Sequence, residues 1–205
     1  AHDGGAALVF GIPGYTRLPD GDAAFLNMAT VVGHGDGHYV KRRLVPFGEY
    51  VPLAEWLRGA IEFFDLPMAH AASGESEQPL LRAGRFRLAM AICYEIAYPD
   101  LVRRDAVDAS VIVTISNDAW FGHSIGPHQH MQMARMRALE NGRYLLRATN
   151  NGITGIVDAT GTIVARAPQF EATVLDGTFV AMSGTTPYGA FGDVPVLVSI
   201  ALGIA

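Results

Sequence analysis

Apolar positions along the chain fall into two kinds of run. Four are of strand length, apolar almost throughout and bounded by Gly, Pro or Asp: ALVFGIP (7–13), FLNMATVV (25–32), FRLAMAIC (86–93) and ASVIVTIS (109–116). Runs of this length and composition predict strands buried on both faces. Between them apolar residues return at helical spacing. PLAEWLRGAIEFF (52–64) spaces Leu53, Trp56, Leu57 and Ile61 in this way, and PDLVRRDAV (99–107) opens on Pro99 and Asp100, as a first helical turn does. HQHMQMARMRALENGRYLLRA (128–148) brings Met131, Ala134, Ala138, Leu139 and Leu145 close to one face. It predicts the longest helix, which Gly142 weakens only modestly. Arg135, Arg137, Glu140 and Arg143 then read as its solvated or ion-paired face. Strands alternating with helices predict an α/β class. The glycine-rich GHGDGH (33–38) lies between a strand run and YVKRRLV, which predicts a hairpin turn rather than a phosphate cradle.

Composition narrows the function classes. The chain has 205 residues, half of them hydrophobic, which fits one large domain better than two small ones. A net charge of -5, with no basic run longer than KRR, argues against a nucleic-acid partner. A single cysteine, Cys93, excludes an intrachain disulfide and a cysteine zinc cluster, and leaves the compartment open. The start, AHDGGAALVF, has neither an initiator Met nor a leader pattern and reads as an excised or processed piece. From Val194 to Ala205 the tail is almost wholly apolar. A bilayer span needs about 20 such residues, so the tail reads as a membrane helix cut short.

Three readings of the chemistry follow from the residues. GHSIG (122–126) has the spacing of a serine-hydrolase elbow around Ser124, but NDAWF separates it from the preceding strand and no histidine follows His130. His123, His128 and His130, near Asp118, could be metal ligands. Histidines two apart do not share a helical face, however, and solvated or helix-capping roles fit them better. Cys93 ends a strand run, where a thiolate nucleophile could face a pocket if a base and a cation stood nearby. Lys41, in YVKRRLVPFGEY, is the candidate cation. Taken alone, Cys93 reads first as a small core residue and Lys41 as a solvated edge-strand charge.

Three blocks decide between these readings. YVKRRLVPFGEYVPL, AICYEI and TISNDAWFGHSIGPHQHMQMARMRALENGRYLLRATNNGITG resemble, in order and spacing, the signature blocks of bacterial apolipoprotein N-acyltransferases, within the nitrilase or carbon-nitrogen hydrolase superfamily. The resemblance extends from LVFGIPGY to TPYGAFGD. It implies a nitrilase-like four-layer α-β-β-α sandwich over residues 1–193, incomplete at its amino-terminal edge and lacking the family's membrane helices, with 194–205 beginning a carboxy-terminal one. It also implies a Glu, Lys and Cys triad with no cofactor or metal. Cys93 would be the nucleophile and Lys41 the oxyanion-stabilising cation, with Glu49 and Glu95 accessory and the Tyr94 backbone N–H a second oxyanion donor. The family's general base is a glutamate in an early strand, and no glutamate precedes Glu49. The base is therefore expected upstream of Ala1, and the 205-residue piece alone is expected to be nearly inactive.

The implied reaction moves an acyl chain from a phospholipid to Cys93, and then to the α-amine of the lipid-modified cysteine of an apolipoprotein. It would occur at the bacterial inner membrane, with the catalytic domain on the periplasmic side. Asn117, Trp120 and Phe121, beyond the VIVTI run, are expected to line the acyl pocket. Phe63 and Phe64, in an unusually apolar stretch, are expected to form an arm that meets lipid. A soluble nitrilase-type amidase and a non-catalytic lipid- or lipoprotein-binding relative remain as alternatives.

Overall fold

The computed structural model describes residues 4–18, 21, 23–50 and 71–203. Among these the strands form two sheets. In the smaller, β1 (Ala7–Arg17) and β2 (Ala23–Gly33) pair antiparallel along their full eleven residues, and β4 (His38–Val40) pairs with the other edge of β2. The GHGDGH turn does more than reverse the chain. Its Gly35–Asp36, strand β3, crosses to the second sheet and pairs there with β5 (Leu81–Ala83). Glycine is required at position 35, because a Cβ there would stand 2.2 Å from the Arg82 carbonyl oxygen.

The larger sheet has the order β10-β9-β8-β7-β6-β5-β3. Its centre is parallel: β6 (Phe86–Ile92), β7 (Val111–Asn117) and β8 (Leu145–Asn150), flanked by the antiparallel β9 (Gly155–Val157) and β10 (Ile163–Arg166). Parallel strands need crossover helices. Here these are α1 (Pro99–Ala106) and α2 (Gly126–Asn141), which cover one face.

Side-chain alternation along β6 divides the core into two layers. Leu88, Met90 and Ile92 join Ala29, Val31 and Tyr39 between the sheets. Ala89 and Ala91 join Ile112 and Leu145 under Val102, Ala106, Met131, Ala134 and Ala138 of the helices. These are consecutive sheet, sheet and helix layers of the expected sandwich. The apolar stretch 52–64, expected to be helical, lies outside the described residues.

Two expectations change. The long helix does not run on to Leu145 but ends at Gly142, which adopts a left-handed conformation (φ 58°) and donates its N–H to the Leu139 carbonyl. This is a glycine helix cap, after which Leu145 enters β8. Arg143, freed from the helix, is buried rather than solvated, and it donates to the Ala109 and Gly184 carbonyls at 2.8 and 2.6 Å. At the carboxyl end, α3 (Pro187–Phe191) leads into α4 (Val194–Ala201), whose Val194, Val196, Leu197 and Ile200 are exposed. Among the described residues no helix is long and apolar enough to cross a membrane.

The cap predicts that Gly142→Ala costs about 1–2 kcal/mol, the penalty of an L-residue in left-handed space, because its Cβ would also meet Thr186 at 3.0 Å. Urea unfolding of both proteins measures the loss, and an unchanged midpoint would contradict the cap.

Candidate active site

Lys41 continues the β2–β4 ladder, its N–H bonding the Asn27 carbonyl at 2.8 Å. The side chain is 1% exposed, so its ammonium needs a partner inside the protein. Glu49 supplies it, with Lys41 Nζ at 2.6 and 2.8 Å from the two carboxylate oxygens. The 45–50 turn presents this carboxylate. Val45 N–H donates to Oε2 at 2.7 Å and Asn27 Nδ2 to Oε1 at 2.6 Å. Glu49 therefore receives donors on both oxygens, and the Lys41 ammonium is fixed in place.

Cys93 follows β6 directly and opens the 3-10 turn Cys93–Ala97. Strict alternation would send its side chain to the helix layer with Ala89 and Ala91. Instead it packs against the inter-sheet cluster with Ile92 and Tyr39. The reason is its backbone: φ is +54°, in left-handed space that non-glycine residues seldom occupy. The thiol is half-buried and free.

Glu95 joins the two halves of the site. Fully buried, it accepts from the Ile92 N–H at 2.8 Å on one side and from the Arg42 and Arg43 N–H groups at 2.6 and 3.0 Å on the other. The Tyr39 hydroxyl donates to both its oxygens at 2.9 Å. One carboxylate thus binds the residue before Cys93 and the residue after Lys41. Burial pushes the Glu95 carboxyl above its ordinary range, against the lowering effect of these N–H donors. Burial, with Glu95 adding to it, also raises the Tyr39 phenol. Arg42 is held in turn by the Tyr39 oxygen at 3.0 Å and by an ion pair with Asp105.

A second buried group stands behind Cys93. His130 Nε2 lies 3.1 Å from the Cys93 carbonyl oxygen and Nδ1 lies 2.9 Å from Asp118 Oδ1. Arg147 donates to Asp118 Oδ2 at 2.8 Å, and Ser116 to Oδ1 at 2.5 Å. Burial opposes ionisation of Asp118, yet the His130 hydrogen bond and the Arg147 charge hold its carboxyl below the usual range. Against the expectation of solvated or capping histidines, His130 is 7% exposed. Two signals in the chain point to this network: His130, Ala134 and Ala138 are four apart on one helix face, and Arg147 shares the period-two phase of Leu145 in a buried strand. His123 takes no part and packs on Phe170, with ring centroids 4.2 Å apart. Among the described residues no cluster of three His, Cys, Asp or Glu could hold a metal ion.

The expected pocket residues divide. Asn117 ends β7 beside the carboxyl end of β6, with its Oδ1 accepting from Ala119 N–H at 3.2 Å. It borders an open, largely polar cleft of about 790 Å³ that also involves Thr149, Asn150, Phe170 and Glu171. Trp120 is 73% exposed, while Phe121 packs its ring edge-on to His130. The Tyr94 ring packs edge-on to Tyr98. Phe63 and Phe64 lie outside the described residues.

Residues 1–188 match the carbon-nitrogen hydrolase family. The chain is 53% identical over 188 residues to the apolipoprotein N-acyltransferase of Pseudomonas aeruginosa, covering 92% of this chain and 37% of that protein. It is 49% identical over 197 residues to the protein of that name in Pseudomonas putida, covering 96% and 39%. The chain therefore spans less than two fifths of the length of these relatives. An amidase from Nesterenkonia sp. AN1 shares the fold. One structure of it has a TM-score of 0.63 at 21% identity, covering 97% of this chain and 71% of its own. Another, with the acetamide moiety of fluoroacetamide covalently added at the active-site cysteine, has a TM-score of 0.56 at 23% identity, covering 81% and 58%.

Removing one partner of a buried pair strands the other's charge, so Glu49→Ala is predicted to cost about 3–5 kcal/mol in chemical denaturation. A loss below about 1 kcal/mol, the scale of a surface pair, would place the Lys41 ammonium in water.

Proposed function

The chain belongs to the carbon-nitrogen hydrolase family, and from that premise we propose that it is the acyl-transferring part of an apolipoprotein N-acyltransferase. The observation that carries this reading is the single Glu95 carboxylate that locks the Cys93 turn to the Lys41 segment. Similarity to named apolipoprotein N-acyltransferases over nine tenths of the chain supports the substrate class.

In the first step the Cys93 thiolate attacks the ester carbonyl of a phospholipid. The oxyanion is met by Lys41 and the Tyr94 backbone N–H. The C–S bond forms, the ester C–O bond breaks, and the base gives the lysophospholipid alkoxide the proton it took from the thiol. In the second step the α-amine of a lipid-modified amino-terminal cysteine attacks the thioester. The C–N bond forms, the C–S bond breaks, and the base carries the amine proton to the departing sulfur, regenerating the thiol. Water must be kept from the thioester between the steps. Phe121, Trp120 and Asn117 are assigned to the acyl pocket, and Phe63 and Phe64 to an arm at the lipid surface. The exposed apolar α4 is read as the beginning of a carboxy-terminal membrane helix, with catalysis on the periplasmic side of the bacterial inner membrane.

The scheme needs a general base, and among the described residues Glu49, Glu95 and Asp118 are already held by donors on both oxygens. We assign the base to a residue outside the described ones. An amidase that delivers its acyl group to water is the second reading, favoured by the fold it shares with the Nesterenkonia enzyme.

The test is intact-mass analysis after incubation with phospholipid vesicles, on this chain and on one extended to the length of its curated relatives. The extended chain is expected to gain a hydroxylamine-labile acyl adduct that Cys93→Ala abolishes. The 205-residue chain is expected to gain it at least about 10²-fold more slowly, the cost of a missing base. A folded extended chain with no adduct would overturn acyl transfer from lipid, and release of the acyl group to water despite an amine acceptor would favour the amidase.

A further inference from the structure

Cys93 faces the inter-sheet layer only because its backbone occupies left-handed space. For a non-glycine residue that conformation is unfavourable and must be imposed by its surroundings. The backbone bonds on either side of it identify what imposes it. Before it, the Ile92 N–H is held by Glu95. On its own carbonyl, the partner is His130, reaching across from α2 in the helix layer. A carbonyl oxygen can only accept, so Nε2 of His130 carries the proton and donates.

We propose that His130 is a positioning residue for Cys93. It binds the Cys93 carbonyl on the helix side of the sheet and so keeps the thiol turned to the opposite side, toward the layer that contains Tyr39 and leads to Lys41. Asp118 and Arg147 hold His130 in place. Asp118 sits at the end of β7 with its carboxylate fully buried, and Arg147, also fully buried, comes from the neighbouring strand β8. On its Nδ1 side the imidazole donates to Asp118 Oδ1 at 2.9 Å, and Arg147 Nη2, which donates to Asp118 Oδ2, packs 3.0 Å from the same nitrogen without bonding it. The Phe121 ring and the α2 backbone limit its remaining freedom.

Energetics favour this role over a purely structural one. Replacing a buried ion pair with apolar residues of similar size is often neutral or stabilising, so such a pair is weak evidence of a contribution to stability. Here the guanidinium is used incompletely, for Nε and Nη1 of Arg147 find no protein acceptor. The pair is explained by what it orients. A shift of about 1 Å in a reacting atom can cost 10²-fold in rate, so holding one peptide in place has a large return in chemistry.

The inference rests on Cys93 being the reactive residue but not on which acyl group it carries, and the test is independent of turnover. Because Cys93 is the sole cysteine, labelling with [¹³C,¹⁵N]cysteine gives one spin system whose Cα and Cβ shifts report its backbone conformation. Iodoacetamide alkylation reports where the thiol points. In His130→Gln, the side-chain amide can still donate to the carbonyl, so both readouts are expected to stay close to wild type. In His130→Met, similar in size but without a donor, the Cys93 shifts are expected to move toward ordinary β values. Alkylation is expected to slow about tenfold or more as the thiol turns into the helix layer. Wild-type shifts and alkylation in a folded His130→Met protein would overturn the proposal, and so would equal changes in the Gln and Met variants. Should the Met variant not fold, Asp118→Asn, which loosens the imidazole without removing it, must still shift the Cys93 signals, and unchanged signals would refute the role. An acyl-transfer failure with these results intact would fault the proposed function and not this inference.

Discussion

Glu95 accepts hydrogen bonds from a strand end and from a loop that are far apart in sequence, and the geometry of the site depends on this sharing. Ile92 lies at the end of β6 in the larger sheet, whereas Arg42 and Arg43 follow β4 of the smaller one. Packing between sheets is non-directional and tolerates small slips. A buried carboxylate with five donor contacts does not, because any slip leaves charge or N–H groups unsatisfied at a cost of about 1–3 kcal/mol each. Glu95 thus makes the relative position of Lys41 and Cys93 a fixed property of the fold.

Three polar assemblies hold the segments that carry Lys41 and Cys93, each with a separate task. The Glu49 carboxylate, with Asn27 and Val45, holds the Lys41 charge in place. Glu95 with Tyr39 joins the two sheets, and His130 with Asp118 and Arg147 fixes the peptide that carries the thiol. All lie in or beside densely packed apolar layers, where a hydrogen-bonded polar network is strong and a broken one is costly. That combination suits a site whose nucleophile and cation must hold their positions while substrates change.

Much of this was legible in the chain. The strands in the four apolar runs and the helix opening at Pro99 appear where the apolar spacing places them, although β1 and β2 are not buried on both faces and leave Leu8, Ile12 and Val32 exposed. Cys93 and Lys41 stand out once the three blocks are read together. Amphipathic spacing continues past Gly142 and so overextends α2, which only the left-handed backbone there ends. Polar residues usually face solvent, so a solvated or ion-paired Arg143 and a solvated or capping His130 are what the pattern predicts. Their burial depends on carbonyl and carboxylate partners from the connection after α1, the segment before α3 and the residues that follow β6 and β7, and only the helix face that His130 shares with Ala134 and Ala138 signals it locally. The reversal of Cys93 out of the strand's alternation is likewise set by bonds formed across layers. The stretch holding Phe63 and Phe64 lies outside the described residues, so the arm stands as a reading of sequence.

One carboxylate couples the Lys41 segment to the Cys93 turn, its Oε1 accepting from Arg42 and Arg43 and its Oε2 from Ile92. Amide hydrogen exchange by NMR is the direct test, comparing these three residues in the wild-type chain and in Glu95→Leu, which removes both acceptor oxygens at similar size. All three amides are expected to lose protection together while the neighbouring β6 amides of Ala89 and Ala91 keep theirs. An Ile92 amide, or the Arg42 and Arg43 amides, still fully protected in a folded Glu95→Leu protein would refute the coupling.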